Sequence, residues 1–146
     1  MKKHKITRSL ATATLLLGVG VVAPIATAGP AAAGGYGCNG TLIDTLPHYA
    51  YTVEGGGRVA TTYIYWDGTY NCVVNVKQGS TYGVSTRMEL SIGTSTELQG
   101  DPGHFKYYAG PVKIYAKGKC IKTEATGWGT NGHELYQDST GWMHCS

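Results

Sequence analysis

The chain has 146 residues, among them 22 glycines and eleven tyrosines, and a formal net charge of +3 at pH 7. Four of its twelve basic residues lie within the first eight positions, and from Gly34 onward eight Lys or Arg stand against nine Asp or Glu, a net charge of about −1. Because nucleic-acid binding needs a concentrated positive surface, this balance gives no support for a nucleic-acid partner.

The first 28 residues have the layout of a secretory signal peptide. A basic start precedes an apolar run at 10–23 that ends at Pro24, and this run is shorter than the ~20 residues of a membrane-spanning helix. We expect cleavage after Ala28, in a small-x-small site, or alternatively after Ala33. The prediction is a secreted, extracellular protein without a membrane span, in which residues 29–146 form one domain.

All four cysteines lie after this leader. An even count in an exported chain of this size predicts two disulfides, and three pairings are possible. We favour the pairing of neighbours along the chain, because each bridge would then tie one chain end to the sheet. No CxxC motif occurs, so neither a redox site nor a zinc ribbon is indicated, and we expect no metal and no cofactor. The predicted bridges are Cys38 with Cys72 and Cys120 with Cys145.

Short runs of Val, Ile, Thr and Tyr bounded by Gly, Asp, Asn or Ser recur after the leader. This pattern is typical of antiparallel sheets and predicts an all-β fold, a small antiparallel β-sandwich or barrel-like domain held by two disulfides. We expect strands at 49–54, 87–92 and 112–117, a two-stranded hairpin at 58–78, and short strands at 121–124, 133–137 and 141–145. Residues 93–103 are polar and predict a loop.

The clearest hairpin signal is Asp67-Gly68 between two alternating runs, since both central residues of a type I′ turn need positive φ. A two-residue loop there fixes the register and places eight side chains on one face, which we assign to the core because the other face is mixed and mostly polar. The predicted pairs are Tyr65 with Tyr70, Tyr63 with Cys72, Thr61 with Val74 and Val59 with Val76.

The run HFKYYAGPVKIYAKGKC at 104–120 contains three tyrosines and four lysines. From Val112 onward its alternation points Ile114 inward and Lys113 and Lys117 outward. Lysines on an edge strand discourage pairing with another molecule's sheet, and this solvated edge explains them without a ligand. The alternative is a surface that binds an acidic partner.

Catalytic signals are weak. No GxSxG occurs, His133-Glu134 does not continue to HExxH, and nine scattered acids give no basis for choosing a pair. We therefore expect no enzyme and name no catalytic residue. Exposed aromatic rings can stack on sugars or anchor a protein partner, and the candidates for such a surface are Trp66, Trp128 and Trp142.

Several segments resemble the spore-associated protein A family of small secreted proteins from streptomycetes and related actinobacteria. These are YNCVV at 70–74, YAGPVKIYAKGKCI at 108–121 and the closing HCS, with the same order and spacing of cysteines. The chain departs from the family after Cys120, where residues 121–124 precede the Trp- and Gly-rich segment. The resemblance implies an exported protein recovered with spores or aerial growth and without an established catalytic activity.

We therefore predict a non-catalytic secreted protein, a monomer associated with the spore or cell surface, whose partners are the cell wall, the spore surface or another secreted protein. The first alternative is an inhibitor or binder of an extracellular hydrolase that uses the loop at 93–103. The second is a small secreted hydrolase that uses some of its histidines: His48, His104, His133 and His144.

Overall fold

The computed structural model describes residues 34–51 and 57–145, and the predicted leader with both candidate cleavage sites lies outside them. Within the described residues the only helical element is one 3-10 turn at Gly79–Thr81, and the rest of the regular structure is strand. The strands are β1 Thr41–Tyr49, β2 Arg58–Trp66, β3 Tyr70–Lys77, β4 Thr86–Gly93, β5 Leu98–Gly100, β6 Gly103–Phe105, β7 Tyr108–Tyr115, β8 Lys122–Trp128 and β9 Glu134–Ser139.

These strands form two antiparallel sheets that pack face to face, which confirms the all-β sandwich. The first sheet has the order β1-β2-β3-β7, and the second has the order β5-β4-β8-β9 with β6 also paired to β4. The main core lies between them and includes Ile64 and Val73 from the first sheet and Met88, Leu90 and Ile92 from the second. None of the described segments is a helix with the length and apolar character needed to cross a bilayer.

The hairpin of β2 and β3 forms where predicted, but its register is shifted by two residues. Tyr65 pairs with Cys72, not with Tyr70 as predicted, and Trp66 pairs with Asn71. The cause is the side chain of Asp67, whose Oδ1 accepts the backbone N–H groups of Thr69 and Tyr70 at 3.0 and 2.7 Å. This bonding places the turn one residue later along the chain, and Gly68 takes the required positive φ of 94°.

The core face assigned to this hairpin from its sequence is wrong. The face with Tyr63, Tyr65 and Val74 points away from the second sheet and forms a smaller buried cluster with Cys38 and Cys72. The opposite face, which looks mostly polar in sequence, carries Ile64 and Val73 into the main core. Its polar side chains are buried as well, and they include Thr62, Asn71, Asn75 and Lys77.

Most of the other strands agree with the sequence pattern, but the short strand predicted at 141–145 is wrong, because only Met143 forms an isolated bridge there, to Ile121. Met88, Leu90 and Ile92 of β4 point inward, as do Val112 and Ile114 of β7, and β7 lies at a sheet edge as expected. The strand predicted at 49–54 is wrong, because β1 ends at Tyr49; residues 52–54 lie outside the described part. β1 contains Pro47, which an edge strand tolerates. The region predicted as a loop, 93–103, holds the short strand β5 and the first residue of β6.

Both predicted disulfides are confirmed. Cys38 bonds to Cys72 and Cys120 bonds to Cys145, with sequence separations of 34 and 25 residues. In the loop-closure model, bridges over loops of these lengths each stabilise the fold by about 3 to 4 kcal/mol. The first bridge holds the segment before β1 against the outer face of the first sheet, and the second holds the C-terminal segment near the start of β8.

Lys77 is a buried lysine at the end of β3, with an exposed fraction of only 3%. Its Nζ donates to the carbonyl oxygens of Val84 and Phe105 at 2.8 and 2.6 Å and to Oγ1 of Thr86 at 2.6 Å. An ammonium group has three N–H donors, and each one therefore has a partner. Burial lowers the pKa of Lys77. This residue joins the first sheet to β4, to β6 and to the segment that follows the 3-10 turn.

Replacing Lys77 with methionine tests whether these hydrogen bonds hold the two sheets together. Methionine has a similar length but leaves three buried acceptors without a donor, and each such group costs roughly 1–3 kcal/mol. We expect Lys77→Met to lower the free energy of unfolding by at least about 2 kcal/mol, measured by urea denaturation. The exposed Lys106→Met is the matched control and should change it little. A Lys77→Met protein as stable as the original would mean that relief of the buried charge outweighs the lost bonds.

Candidate functional site

The outer face of the first sheet carries an exposed group of aromatic and basic side chains at its β7 edge. Tyr70 of β3 and Tyr115 of β7 are directly paired across the two strands, and their rings meet edge to face with centroids 5.7 Å apart. Lys113 lies beside them on β7, and Lys117 and Lys119 follow in the loop after this strand. We call these five residues the tyrosine–lysine surface.

Two of its lysines contact aromatic rings. Nζ of Lys113 lies 4.3 Å from the ring centroid of Tyr70, and Nζ of Lys119 lies 5.4 Å from that of Tyr115 and 3.3 Å from Oγ1 of Thr96. An ammonium group over a ring face is held by the ring quadrupole while its remaining donors stay available to other groups. The rings therefore position positive charge at the surface.

Asp67 compensates part of this charge. Its Oδ2 lies 3.2 Å from Nζ of Lys113. Backbone hydrogen bonds from Tyr70 and Thr69, together with Lys113, lower the pKa of Asp67. The carboxylate is therefore ionised at neutral pH and pairs with Lys113, while Lys117 and Lys119 extend the positive charge beyond this ion pair.

A second group of tyrosines covers the other end of the same outer face. Tyr36 stacks on Tyr63 with centroids 5.9 Å apart and meets Tyr108 edge to face at 5.4 Å. Tyr36 precedes β1 and is held there by the neighbouring Cys38–Cys72 bridge. Tyr36 lies outside every strand predicted from the sequence, so no alternation pattern marks it as a surface residue. The favoured Cys38–Cys72 disulfide is the one signal in the sequence that places it near this sheet.

The three candidate tryptophans occupy different settings. Trp66 packs against the main core and borders a cavity of about 260 Å³ together with Ile43, Asn71, His144 and Cys145. Trp128 lies on the outer face of the second sheet with the guanidinium of Arg87 4.7 Å from its ring centroid. Trp142 is 53% exposed and has Nζ of Lys122 at 5.5 Å. The structure does not bring them together as one platform.

His48 is the centre of a buried hydrogen-bonded group between the two sheets. Its Nδ1 lies 2.7 Å from Oδ2 of Asp138, and its Nε2 lies 2.8 Å from Oγ1 of Thr62. Because an ionised carboxylate only accepts hydrogen bonds, Nδ1 carries the proton and Nε2 accepts from Thr62. The ring also stacks on Tyr136 with centroids 4.8 Å apart, where the absence of a side chain at Gly127 leaves room for Tyr136.

A carboxylate, an imidazole and a hydroxyl in this order are the groups of a hydrolytic triad. Here the hydroxyl belongs to Thr62, which is 1% exposed and points into the core. A substrate would have to enter the packed interior to meet this oxygen. The His48 hydrogen bonds instead join β1 and β2 of the first sheet to β9 of the second. Burial lowers the pKa of His48, and this effect outweighs the opposing effect of Asp138.

The remaining histidines are dispersed. His144 contacts Asp44 of β1 with 3.1 Å between Nε2 and Oδ2, His104 lies on β6 at the outer face of the second sheet, and His133 precedes β9. In the described part of the chain, no group of three or more His, Cys, Asp or Glu residues is placed to hold a metal ion.

Comparison with known proteins gives no assignment: no family model, no curated protein and no solved structure matches this chain.

The lowered pKa of His48 predicts a pH dependence of stability. Between its ordinary value of 6.5 and the lower value in the fold, the unfolded chain binds more protons, so stability falls as the pH falls through this window. We expect the free energy of unfolding to decrease more steeply from about pH 7 to about pH 5 than in His48→Phe, which keeps the ring stack but cannot titrate. At neutral pH, His48→Phe should cost about 1–3 kcal/mol, because Thr62 loses its acceptor.

The exposed His133→Phe is the control for this measurement and should keep the pH profile of the original protein. Identical profiles for the original protein and His48→Phe, recorded by denaturant unfolding at each pH, would contradict the role given to His48.

Proposed function

We propose that this is a non-catalytic extracellular protein that attaches to the spore or cell surface, and that the tyrosine–lysine surface makes the attachment. The observation that carries the proposal is the position of Lys113 and Lys119 against the rings of Tyr70 and Tyr115, on an exposed edge of a rigid sheet. Ordered positive charge beside exposed rings suits a polymer that carries phosphate or carboxylate groups.

The distribution of charge supports this choice of ligand. Three of the eight basic residues after the leader, Lys113, Lys117 and Lys119, lie on the tyrosine–lysine surface, although the net charge of the whole chain after the leader is about −1. A protein that is nearly neutral overall therefore presents a local positive surface at this sheet edge. Such a surface raises the local concentration of an acidic polymer and binds it with strong salt dependence.

Three further observations support an extracellular role without catalysis. The two disulfides suit an oxidising compartment. The resemblance of several segments to the spore-associated protein A family carries the same expectation, and the YAGPVKIYAKGKCI segment supplies Tyr115 and three lysines of the tyrosine–lysine surface. The buried position of Thr62 argues against the one triad-like group of side chains as a reaction centre.

Charge reversal at Lys117 and Lys119 tests the proposal. Each basic residue beside an anionic surface contributes about 1 kcal/mol, so Lys117→Glu/Lys119→Glu should reduce retention on spores or cell walls by at least about tenfold. Retention is measured by fractionation of the culture into spores, walls and medium at several salt concentrations. Retention of the original protein should also fall as salt is raised.

Arg58→Glu/Lys106→Glu is the matched control, because it makes the same change in net charge at two exposed positions outside the surface. Equal retention of both double variants would mean that only net charge matters. Unchanged retention of Lys117→Glu/Lys119→Glu would support the solvated-edge interpretation of these lysines and contradict the proposal.

A second candidate function, inhibition of an extracellular hydrolase, is favoured by the hairpin of β4 and β5. Its turn is closed by a 2.8 Å hydrogen bond from the N–H of Thr94 to the carbonyl of Glu97, and the next residue, Leu98, is 67% exposed. An apolar side chain held out on a rigid hairpin can enter a pocket of a partner protein.

If the hairpin inhibits a hydrolase, the protein should slow the extracellular proteases of the producing culture, and Leu98→Asp should abolish the effect because it places a charge in the partner's apolar pocket. The inhibition constant is the measured quantity, and Lys117→Glu is the control that should keep it. If these proteases keep full activity at a large excess of the original protein, inhibition of them is excluded as a function.

A further inference from the structure

A groove lies on the outer face of the second sheet, separate from the tyrosine–lysine surface on the first sheet. One cavity of about 310 Å³ is bordered by Arg87, His104, Trp128 and the β8–β9 turn. Another of about 250 Å³ is bordered by Glu89, Ser91, Glu124 and Thr126, with Gly100 and Pro102 at its side. Both cavities lie along the same outward faces of β4 and β8, so they follow one another along the strands.

The pairing of β4 with β8 fixes this order. Glu89 is opposite Thr126 and Ser91 is opposite Glu124, so the two carboxylates are diagonal neighbours on one face. From Arg87 to Ser91 the strand rises about 13 Å at roughly 3.3 Å per residue. The groove is therefore long enough for more than one sugar ring.

Trp128 is held in the groove by a cation. Arg87 lies over the indole and also forms an ion pair with Glu89, so one side chain orders both the ring and a carboxylate. Trp128 is absent from the aromatic and aliphatic side chains that pack against the main core. The β8–β9 turn borders the same cavity as Trp128 and is closed by a 2.8 Å hydrogen bond from the N–H of Gly129 to the carbonyl of His133.

The lining of the groove identifies the chemical class of its ligand. Carboxylates at Glu89 and Glu124 repel a polyanion, and Glu124 also accepts from the side chain of Gln137 at 3.2 Å. The hydroxyl and carboxylate groups of the lining suit a ligand with both donors and acceptors, whereas an apolar peptide would leave them unpaired. Arg87 lies over one face of the Trp128 indole, so a sugar ring would stack on the other face.

We propose that this groove binds an uncharged polysaccharide chain, with Trp128 as the stacking residue and Glu89 and Glu124 as acceptors for sugar hydroxyl groups. The proposal is independent of the tyrosine–lysine surface, which lies on the opposite face of the sandwich. A protein with both sites would join a neutral glycan on one face to an acidic polymer on the other.

The test is titration of the folded protein with neutral oligosaccharides, namely cellohexaose, chitohexaose and maltohexaose, followed by calorimetry and tryptophan fluorescence. We expect saturable binding of at least one of them. Trp128→Ala should weaken it by tenfold or more, and Glu124→Gln, which keeps the size of the side chain, should weaken it several-fold.

Trp142→Ala is the control for loss of an exposed indole and should leave the affinity unchanged. Lys117→Glu/Lys119→Glu should also bind the oligosaccharide normally, which separates this result from failure of the surface attachment. The proposal is overturned if none of the three oligosaccharides binds, if Trp128→Ala binds as tightly as the original protein, or if polygalacturonate competes for the same site.

Discussion

The architecture depends on one constraint: polar side chains on the inner face of the first sheet are buried, and hydrogen bonds there must offset the cost of burying them. Among the described residues, Oδ1 of Asn75 is the one buried side-chain oxygen or nitrogen without such a bond. Thr62 meets His48, Asn75 donates to the hydroxyl of Tyr136, and Lys77 meets three acceptors. Since an unpaired buried polar group costs roughly 1–3 kcal/mol, these bonds stabilise one arrangement of the two sheets and penalise others. The apolar residues Ile64 and Val73 fill the space between them.

With these polar side chains on the inner face, the more apolar face of the β2–β3 hairpin points away from the second sheet. Part of that face is covered by the segment before β1, which the Cys38–Cys72 bridge holds in place, so Val74 is buried although it faces away from the second sheet. The segment does not extend over Tyr70 and Tyr115. The exposed tyrosines are therefore a consequence of how the core is built, and the lysines beside them turn an uncovered sheet edge into a charged surface.

The sequence predicts the structural features that depend on local alternation. It does not predict the features that depend on contacts between distant strands. The inward residues of β4 and β7, the site of the hairpin and the presence of two disulfides follow from period-two patterns, a turn motif and the even cysteine count. The count leaves three pairings open, and the pairing of neighbours is a choice among them. The choice of core face does not follow from these patterns, because the partner of a buried polar residue comes from a remote strand, as when the side-chain N–H of Asn75 donates to the hydroxyl of Tyr136. The hairpin register fails for a local reason, the bonding of the Asp67 side chain to its own turn. The groove around Trp128 needs the pairing of β4 with β8, which no local pattern reveals.

The two surfaces differ in charge, and the sandwich keeps them apart. The tyrosine–lysine surface presents ammonium groups, whereas the groove presents Glu89 and Glu124. At physiological ionic strength charges further apart than about 8 Å are largely screened, and two stacked sheets alone are separated by about 10 Å. The ligands proposed for the two surfaces would therefore bind with little effect on one another. A disulfide-bonded pair of sheets is well suited to carry two independent binding surfaces, because binding on one face would require no movement of the other. Loss of one attachment would then leave the second intact.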